Sequence, residues 1–110
     1  MKLNKNSRIF LAGHNGMVGS AILNHLKKKK YKKILVKSKK ELDLLDQKKT
    51  LDYLKKTKPE FVIIAAARVG GILANLNYKA NFIYENLTIQ TNLIHAAYKS
   101  GVKKLIFLGS

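Results

Sequence analysis

The sequence predicts an α/β protein, a parallel sheet wound on both faces by helices, and three observations predict it. Short apolar runs alternate with stretches of helical periodicity along the whole chain. The first apolar run feeds a turn spaced by Gly13, Gly16 and Gly19 that opens a helix. The runs are continuous rather than alternating, as strands covered on both faces require. The expected architecture is the Rossmann-type half of a doubly wound sheet, with right-handed crossovers and spatial strand order 3-2-1-4.

Ile9, Phe10, Leu11 and Ala12 form the first strand. In the turn that follows, Gly13 permits the tight bend and Gly16 lets backbone approach a pyrophosphate closely. Gly19 lets the helix pack against the strand, and the helix N-terminus offers free N–H groups to an anion. Ala21, Val18, Ile22 and Leu26 recur at helical spacing and give a helix over roughly residues 17–29. Ile34, Leu35 and Val36 make the second strand. Asp46 is an N-cap for a further helix, with Leu51 and Leu54 on its buried side and Pro59 ending it. Phe61, Val62, Ile63 and Ile64 make the third strand and run into Ala65, Ala66 and Ala67. A long helix follows, about residues 79–100, closed by Gly101. Leu105, Ile106, Phe107 and Leu108 make the fourth strand.

The long helix is apolar over more than one face. Phe82, Ile89, Leu93 and Ala96 form one stripe, expected to pack on the sheet. Ile83, Leu87, Ile94 and Tyr98 form a second, which needs cover from another element or from a second copy of the chain in a homodimer.

With 110 residues there is room for one domain. Dinucleotide enzymes generally carry a second half-sheet or substrate domain. Residues 1–110 therefore read as the partial N-terminal NAD(P)-binding domain of a longer protein, whose substrate domain is not in this sequence. The first residues are polar, no apolar run reaches a membrane span, and cytoplasmic is the expected location. The absence of cysteine excludes disulfides and thiolate metal sites, and His14, His25 and His95 lack ligand spacing, so no metal is expected.

A net charge of +16 raises a nucleic-acid partner. Only Arg8 and Arg68 of the 22 basic residues are arginine, and Tyr31 alone interleaves with the lysines as a stacking platform. The densest run, residues 27–33, falls where a helix ends and cations complement its dipole. The lysines read as a solvated surface, with no nucleic-acid or membrane partner expected.

Cofactor choice in such folds is made about twenty residues past the glycine turn. An acid there would bind a ribose 2′-hydroxyl, whereas this chain has Lys37, Ser38, Lys39 and Lys40, which favours NADP. Glu41 and Asp43 leave NAD open, and Asp43 or Asp46 is within reach of the adenine. Val69, Gly70 and Gly71 suggest a loop lining a cleft at the carboxyl end of the sheet.

The segments AGHNGMVGSAI (residues 12–22), AAARVGGI (residues 65–72) and NLIHAAYKSGVKKLIFLGS (residues 92–110) resemble the GDP-L-fucose synthase family of the extended short-chain dehydrogenase/reductase superfamily. ELDLLD (residues 41–46) is also similar to that family after its second strand. The resemblance runs from Arg8 to Ser110. It implies epimerisation of GDP-4-keto-6-deoxy-D-mannose at C3 and C5, then reduction of the C4 ketone by NADPH to GDP-L-fucose. By the same resemblance Gly13, His14, Asn15, Gly16, Met17, Val18 and Gly19 would hold the pyrophosphate. Lys39, Lys40, Glu41, Leu42, Asp43 and Leu44 would hold the adenosine end, and Leu108 and Gly109 would pass beside the nicotinamide. Ser110 matches the active-site serine that hydrogen-bonds the substrate oxygen.

Two departures stand out. Asn15 replaces the basic residue that many members carry in the turn. The Tyr-x-x-x-Lys pair is absent, since Tyr31, Tyr53, Tyr78, Tyr84 and Tyr98 are followed by Leu35, Thr57, Phe82, Thr88 and Val102. This stretch by itself is expected to be inactive. The alternatives are another NAD-dependent nucleotide-sugar epimerase or dehydratase, and a small basic non-catalytic binding module on the same half-fold.

Overall fold

The computed structural model describes residues 3–65 and 80–108, with side chains in the second segment described from residue 84 onward. In chain order the elements are β1 (Arg8–Ala12), α1 (Met17–Lys28), β2 (Lys33–Leu35), α2 (Gln47–Thr57), β3 (Phe61–Ile64), α3 (Ala80–Lys99) and β4 (Lys104–Phe107). All the strand pairings are parallel. The expected alternation is therefore observed, with boundaries displaced by about one residue.

The spatial order is β2-β1-β3-β4, which corrects the expected 3-2-1-4. The third strand does not lie beyond β2. It pairs with β1 on the opposite side, Phe10 beside Val62, and with β4 on its other edge, Val62 beside Leu105. All four residues of β3 are buried, as suits a strand with neighbours on both edges. The chain beyond β2 is instead consumed by turns. Ser38 and Glu41 close one, and the Asp43 carboxylate accepts from the Leu45 N–H at 3.0 Å. Acidic side chains that bond nearby backbone compete with strand pairing. Asp46 then caps α2 as expected, accepting from the Lys49 N–H at 2.9 Å.

Helices cover both faces of the sheet. Phe10, Ala12, Val62 and Ile64 point to the side where Leu54 of α2 and Leu93, Ala96 and Ala97 of α3 close over them. Ile9, Leu11, Phe61 and Ile63 point to the other, with Leu26 of α1. The period-2 alternation of a strand thus supplies two cores from one apolar run. The first stripe of α3 lies on the sheet, with Leu93 and Ala96 fully buried and Ile89 half-buried. The second is exposed at Leu87, Ile94 and Tyr98. The side chains of Phe82 and Ile83 lie outside the described residues.

The end of α3 is closed as expected by Gly101 at φ +73°. The Val102 N–H donates to the Ala97 carbonyl at 3.1 Å, and the Gly101 N–H reaches that of Tyr98 at 3.5 Å. A Cβ on Gly101 would meet nothing within 4 Å, so any cost of a side chain there is conformational. Gly101→Ala should destabilise the fold by about 1 kcal/mol. In urea the midpoint should fall with an unchanged slope.

Candidate functional site

The chain leaves β1 towards β2 by way of α1 and later returns to the other side of β1 as β3. Between the carboxyl ends of β1 and β3 the direction of winding reverses, and open α/β sheets bind ligands outside such a point. The glycine turn sits there. Gly13 has φ +89°, a left-handed conformation that favours glycine, and its carbonyl accepts from the Gly16 N–H at 3.2 Å. Gly16 is the N-cap of α1 and contributes no side-chain cap. The first intrahelical bond comes from the Ser20 N–H to the Gly16 carbonyl. The amides of Met17, Val18 and Gly19 are those that helix geometry leaves without intrahelical carbonyls.

Gly19 is buried and packs against the turn that leaves β1. A Cβ there would lie 1.8 Å from the Gly13 carbonyl oxygen and 3.0 Å from the His14 Cα. Neither neighbour is a side chain that could swing away, so only glycine fits.

A cleft of about 310 Å³ opens at this turn. One wall is Gly13, His14, Asn15 and Gly16. A second is the segment after β2, with Lys37, Lys39, Leu42, Asp43, Leu44 and Leu45, and the third is Glu85, Asn86 and Ile89 of α3. The structure thus gathers the glycine-turn residues, Lys39, Leu42, Asp43 and Leu44 of the expected site. Lys40 and Glu41 do not line the cleft, and Glu41 faces a separate depression beside Tyr53 and Lys56. Met17 and Val18 are exposed in the first turn of α1, outside the cleft lining. Leu108 donates its N–H to the Ile64 carbonyl at 3.2 Å and packs on the α1 face of the sheet. Ala66, Ala67, Val69, Gly70, Gly71, Gly109 and Ser110 lie outside the described residues.

Lys39 and Lys40 occupy the tip of a turn whose ends hold each other. The Ser38 N–H donates to the Glu41 carboxylate at 2.8 Å, and the Glu41 N–H is 3.3 Å from the Ser38 hydroxyl. The backbone bond first, and then the Ser38 side chain, hold the Glu41 carboxyl below the usual carboxylate range. The Lys37 ammonium lies 5.8 Å above the Tyr53 ring, which stacks edge-on against Phe10. Burial, with Glu41 nearby, pushes the Tyr53 hydroxyl up.

Sequence reasoning missed the third wall and the tie that holds it. Asn92 of α3 is buried and donates its side-chain N–H to the Leu44 carbonyl at 2.8 Å. That bond fixes the loop after β2 onto the long helix. The available signal was Glu85 and Asn86 standing four and three residues before Ile89, where an apolar stripe turns polar on the same face. Among the described residues no three His, Cys, Asp or Glu side chains gather around a metal position. No helix among them is long and apolar enough to cross a membrane.

Four parallel strands, helices on both faces and a glycine turn at the reversal point define a Rossmann-type protein. The chain belongs to the NAD dependent epimerase/dehydratase family, which it matches over residues 9–110. GDP-L-fucose synthase 1 of Arabidopsis thaliana is 52% identical over 106 residues, 96% of this chain and 33% of that protein. A GDP-mannoheptose C4 reductase from Campylobacter jejuni, solved with NADP bound, superposes with a TM-score of 0.87 at 40% identity, over 96% of this chain and 33% of its own. A GDP-L-fucose synthetase from Naegleria fowleri bound to NADP gives 0.79 at 32% identity, over 97% and 34%. The chain spans about a third of the length of the relatives it matches.

Gly19→Ala should displace the turn from α1 and abolish dinucleotide binding while both cores persist. Titration with cofactor, alongside far-UV circular dichroism, reads the two effects separately. The Ser38–Glu41 turn carries a pH dependence of definite sign. Because the folded carboxyl is held low, its stabilisation is complete above the ordinary glutamate range and is lost as pH falls through the lowered value. The exchange protection of the Ser38 amide, taken relative to the intrinsic rate at each pH, should fall in acid, and Glu41→Gln should remove that pH dependence.

Proposed function

We propose that this chain is the N-terminal, NADP-binding part of a nucleotide-sugar epimerase/reductase that acts on GDP-4-keto-6-deoxy-D-mannose and yields GDP-L-fucose. The observation that carries the reading is one cleft holding both the glycine turn and Lys37 with Lys39. Identity of 52% to the Arabidopsis synthase supports the substrate. In the superposed Campylobacter reductase and Naegleria synthetase NADP is bound.

The first amides of α1, with Gly13 to Gly16, receive the pyrophosphate, because they combine unpaired donors with the positive end of a helix dipole. Lys37 and Lys39 take the 2′-phosphate as point charges, and Leu42, Asp43 and Leu44 flank the adenosine. Glu41 is the acid best spaced to bind an unphosphorylated ribose, and its carboxylate is committed to Ser38. That arrangement fits a phosphorylated ribose better than a free one. Bound NADPH supplies the hydride for a C4 ketone. Ser110 holds the substrate oxygen, while the proton-donating tyrosine, its lysine and the epimerising groups belong to chain beyond this stretch. The exposed stripe of α3, with Leu87, Ile94 and Tyr98, is covered in the whole protein by that remaining chain or by a second copy.

The full-length protein should bind NADPH about 5–30-fold more tightly than NADH, as one or two partly exposed lysines against a phosphate allow. Lys39→Asp should reverse the order. Both affinities, measured at one ionic strength, check this, and equal or tighter NADH binding would refute the assignment of the lysines. Supplied with GDP-4-keto-6-deoxy-D-mannose and NADPH, the protein should release GDP-L-fucose. Reduction at C4 with retained configuration at C3 and C5 would instead place it with C4 reductases such as the Campylobacter protein.

A further inference from the structure

Basic residues that are scattered along the sequence converge on one end of the fold. In a parallel α/β sheet every strand begins, and every helix ends, at the same edge. Here that edge collects residues 27–33 from the end of α1 to the start of β2, residues 55–58 at the end of α2, and residues 99–104 from the end of α3 to the start of β4. Lys5 and Arg8, at the start of β1, join them. The lysines of these segments are exposed.

Hydrogen bonds make the segments one continuous strip. The Lys32 N–H donates to the Lys5 carbonyl at 3.1 Å, and the Arg8 Nε donates to the Lys58 carbonyl at 2.9 Å. The Glu60 carbonyl accepts from the N–H groups of Lys103 and Lys104 at 2.9 and 3.2 Å. The strip follows the strand order across the sheet. Glu60 is the acid within it, and its carboxylate is occupied by Arg8, through the backbone N–H at 3.3 Å and the guanidinium at 3.7 Å. The other end of the sheet carries Glu41, Asp43, Asp46 and Glu85, four of the chain's six acidic residues. The molecule is therefore charge-polarised along the strand direction, which composition alone does not require.

We propose that this amino-end strip docks on an anionic lipid surface, holding the cleft at the opposite end open to solvent. The chemistry favours a diffuse planar anion over a nucleic acid. The cations are lysines, compact point charges suited to a fluid array of headgroups rather than to bidentate recognition. Arg8, the arginine within the strip, is engaged with Lys58 and Glu60. Tyr31, the aromatic within the basic run, has the Lys5 ammonium 4.3 Å from its ring centroid, so that face is not free to stack on a base. Helix C-termini crowd this edge, and their partial negative charge disfavours discrete phosphate pockets there. What remains is long-range attraction by many flexible lysines, which is screened by salt.

Vesicle sedimentation of the full-length protein tests this, comparing phosphatidylcholine alone with a mixture containing one third phosphatidylserine. Binding to the anionic vesicles only, at about 0.1 M salt and lost near 0.5 M, is the expected result. Lys32→Gln with Lys103→Gln removes two charges from the strip and keeps its backbone bonds. It should lower vesicle partition about tenfold. Lys48→Gln with Lys49→Gln removes the same charge from the start of α2 and should change partition much less. Both double variants should bind NADPH as the parent does. Equal losses from the two pairs would mean that net charge alone attracts the protein, and would overturn the proposal. So would failure to sediment with anionic vesicles, or retention on duplex DNA or RNA that those vesicles cannot compete away.

Discussion

The site depends on a contact between two stretches of backbone, the carbonyl of Gly13 and the Cα of Gly19. It brings the first turn of α1 against the loop that leaves β1 so closely that a methyl group would overlap the oxygen. Three consequences follow from one missing Cβ. The helix axis is pinned at the carboxyl end of β1, its free amides are aimed across the reversal point, and Leu26 is brought down on the Ile9 face of the sheet. A substitution here therefore acts on geometry before it acts on any ligand. The strain of φ +89° at Gly13 is tolerated because glycine carries none of the usual steric cost.

The opposite face solves a different problem, how to hold a long turn-rich segment in place without making it a strand. The loop after β2 has no sheet partner on its outer side, so its order comes from side chains. Ser38 and Glu41 close one bend, Asp43 another, and Asp46 starts α2. Leu42 is buried in the core shared with α2 and α3, and Asn92 reaches across to the Leu44 carbonyl. A buried amide left without that carbonyl would cost about 1–3 kcal/mol, so the bond couples the cleft wall to the packing of α3. The cleft wall that follows β2 is thus tied to the long helix at Leu44.

Most of this was legible in the sequence because it rests on local rules. The glycine spacing and the Gly101 terminus follow from backbone sterics, the Asp46 cap from a hydrogen bond within one turn, and the four apolar runs from burial on both faces of a sheet. Strand order does not. Whether the third run joins β1 or β2 depends on where α2 packs, and α2 packs on α3, which lies more than twenty residues further along. In the sequence Glu41 and Asp43 suggest ligand contacts; in the fold they close turns that keep that segment out of the sheet. Asn92 is hidden in the sequence for the same reason, and Glu85 and Asn86 show there only as a break in an apolar stripe. A polar residue on a helix reveals its neighbour only once the helix has been placed.

The net charge was the least informative number in the sequence and its distribution among the more informative facts in the fold. Around the cleft the charges nearly cancel, Lys37 and Lys39 standing against Asp43 and Glu85. At physiological ionic strength, charges beyond roughly 8 Å are largely screened. The distant lysines of the amino end therefore add little to the potential that an anionic cofactor meets on arrival. On the proposed function, selection between a phosphorylated and a plain ribose would fall to two lysines at short range, one leaning on Tyr53 and one carried on the Ser38–Glu41 turn. Discrimination would then be a property of that turn's conformation, and in the proposed reading what orders the turn weighs more on cofactor preference than the +16 of the whole chain does.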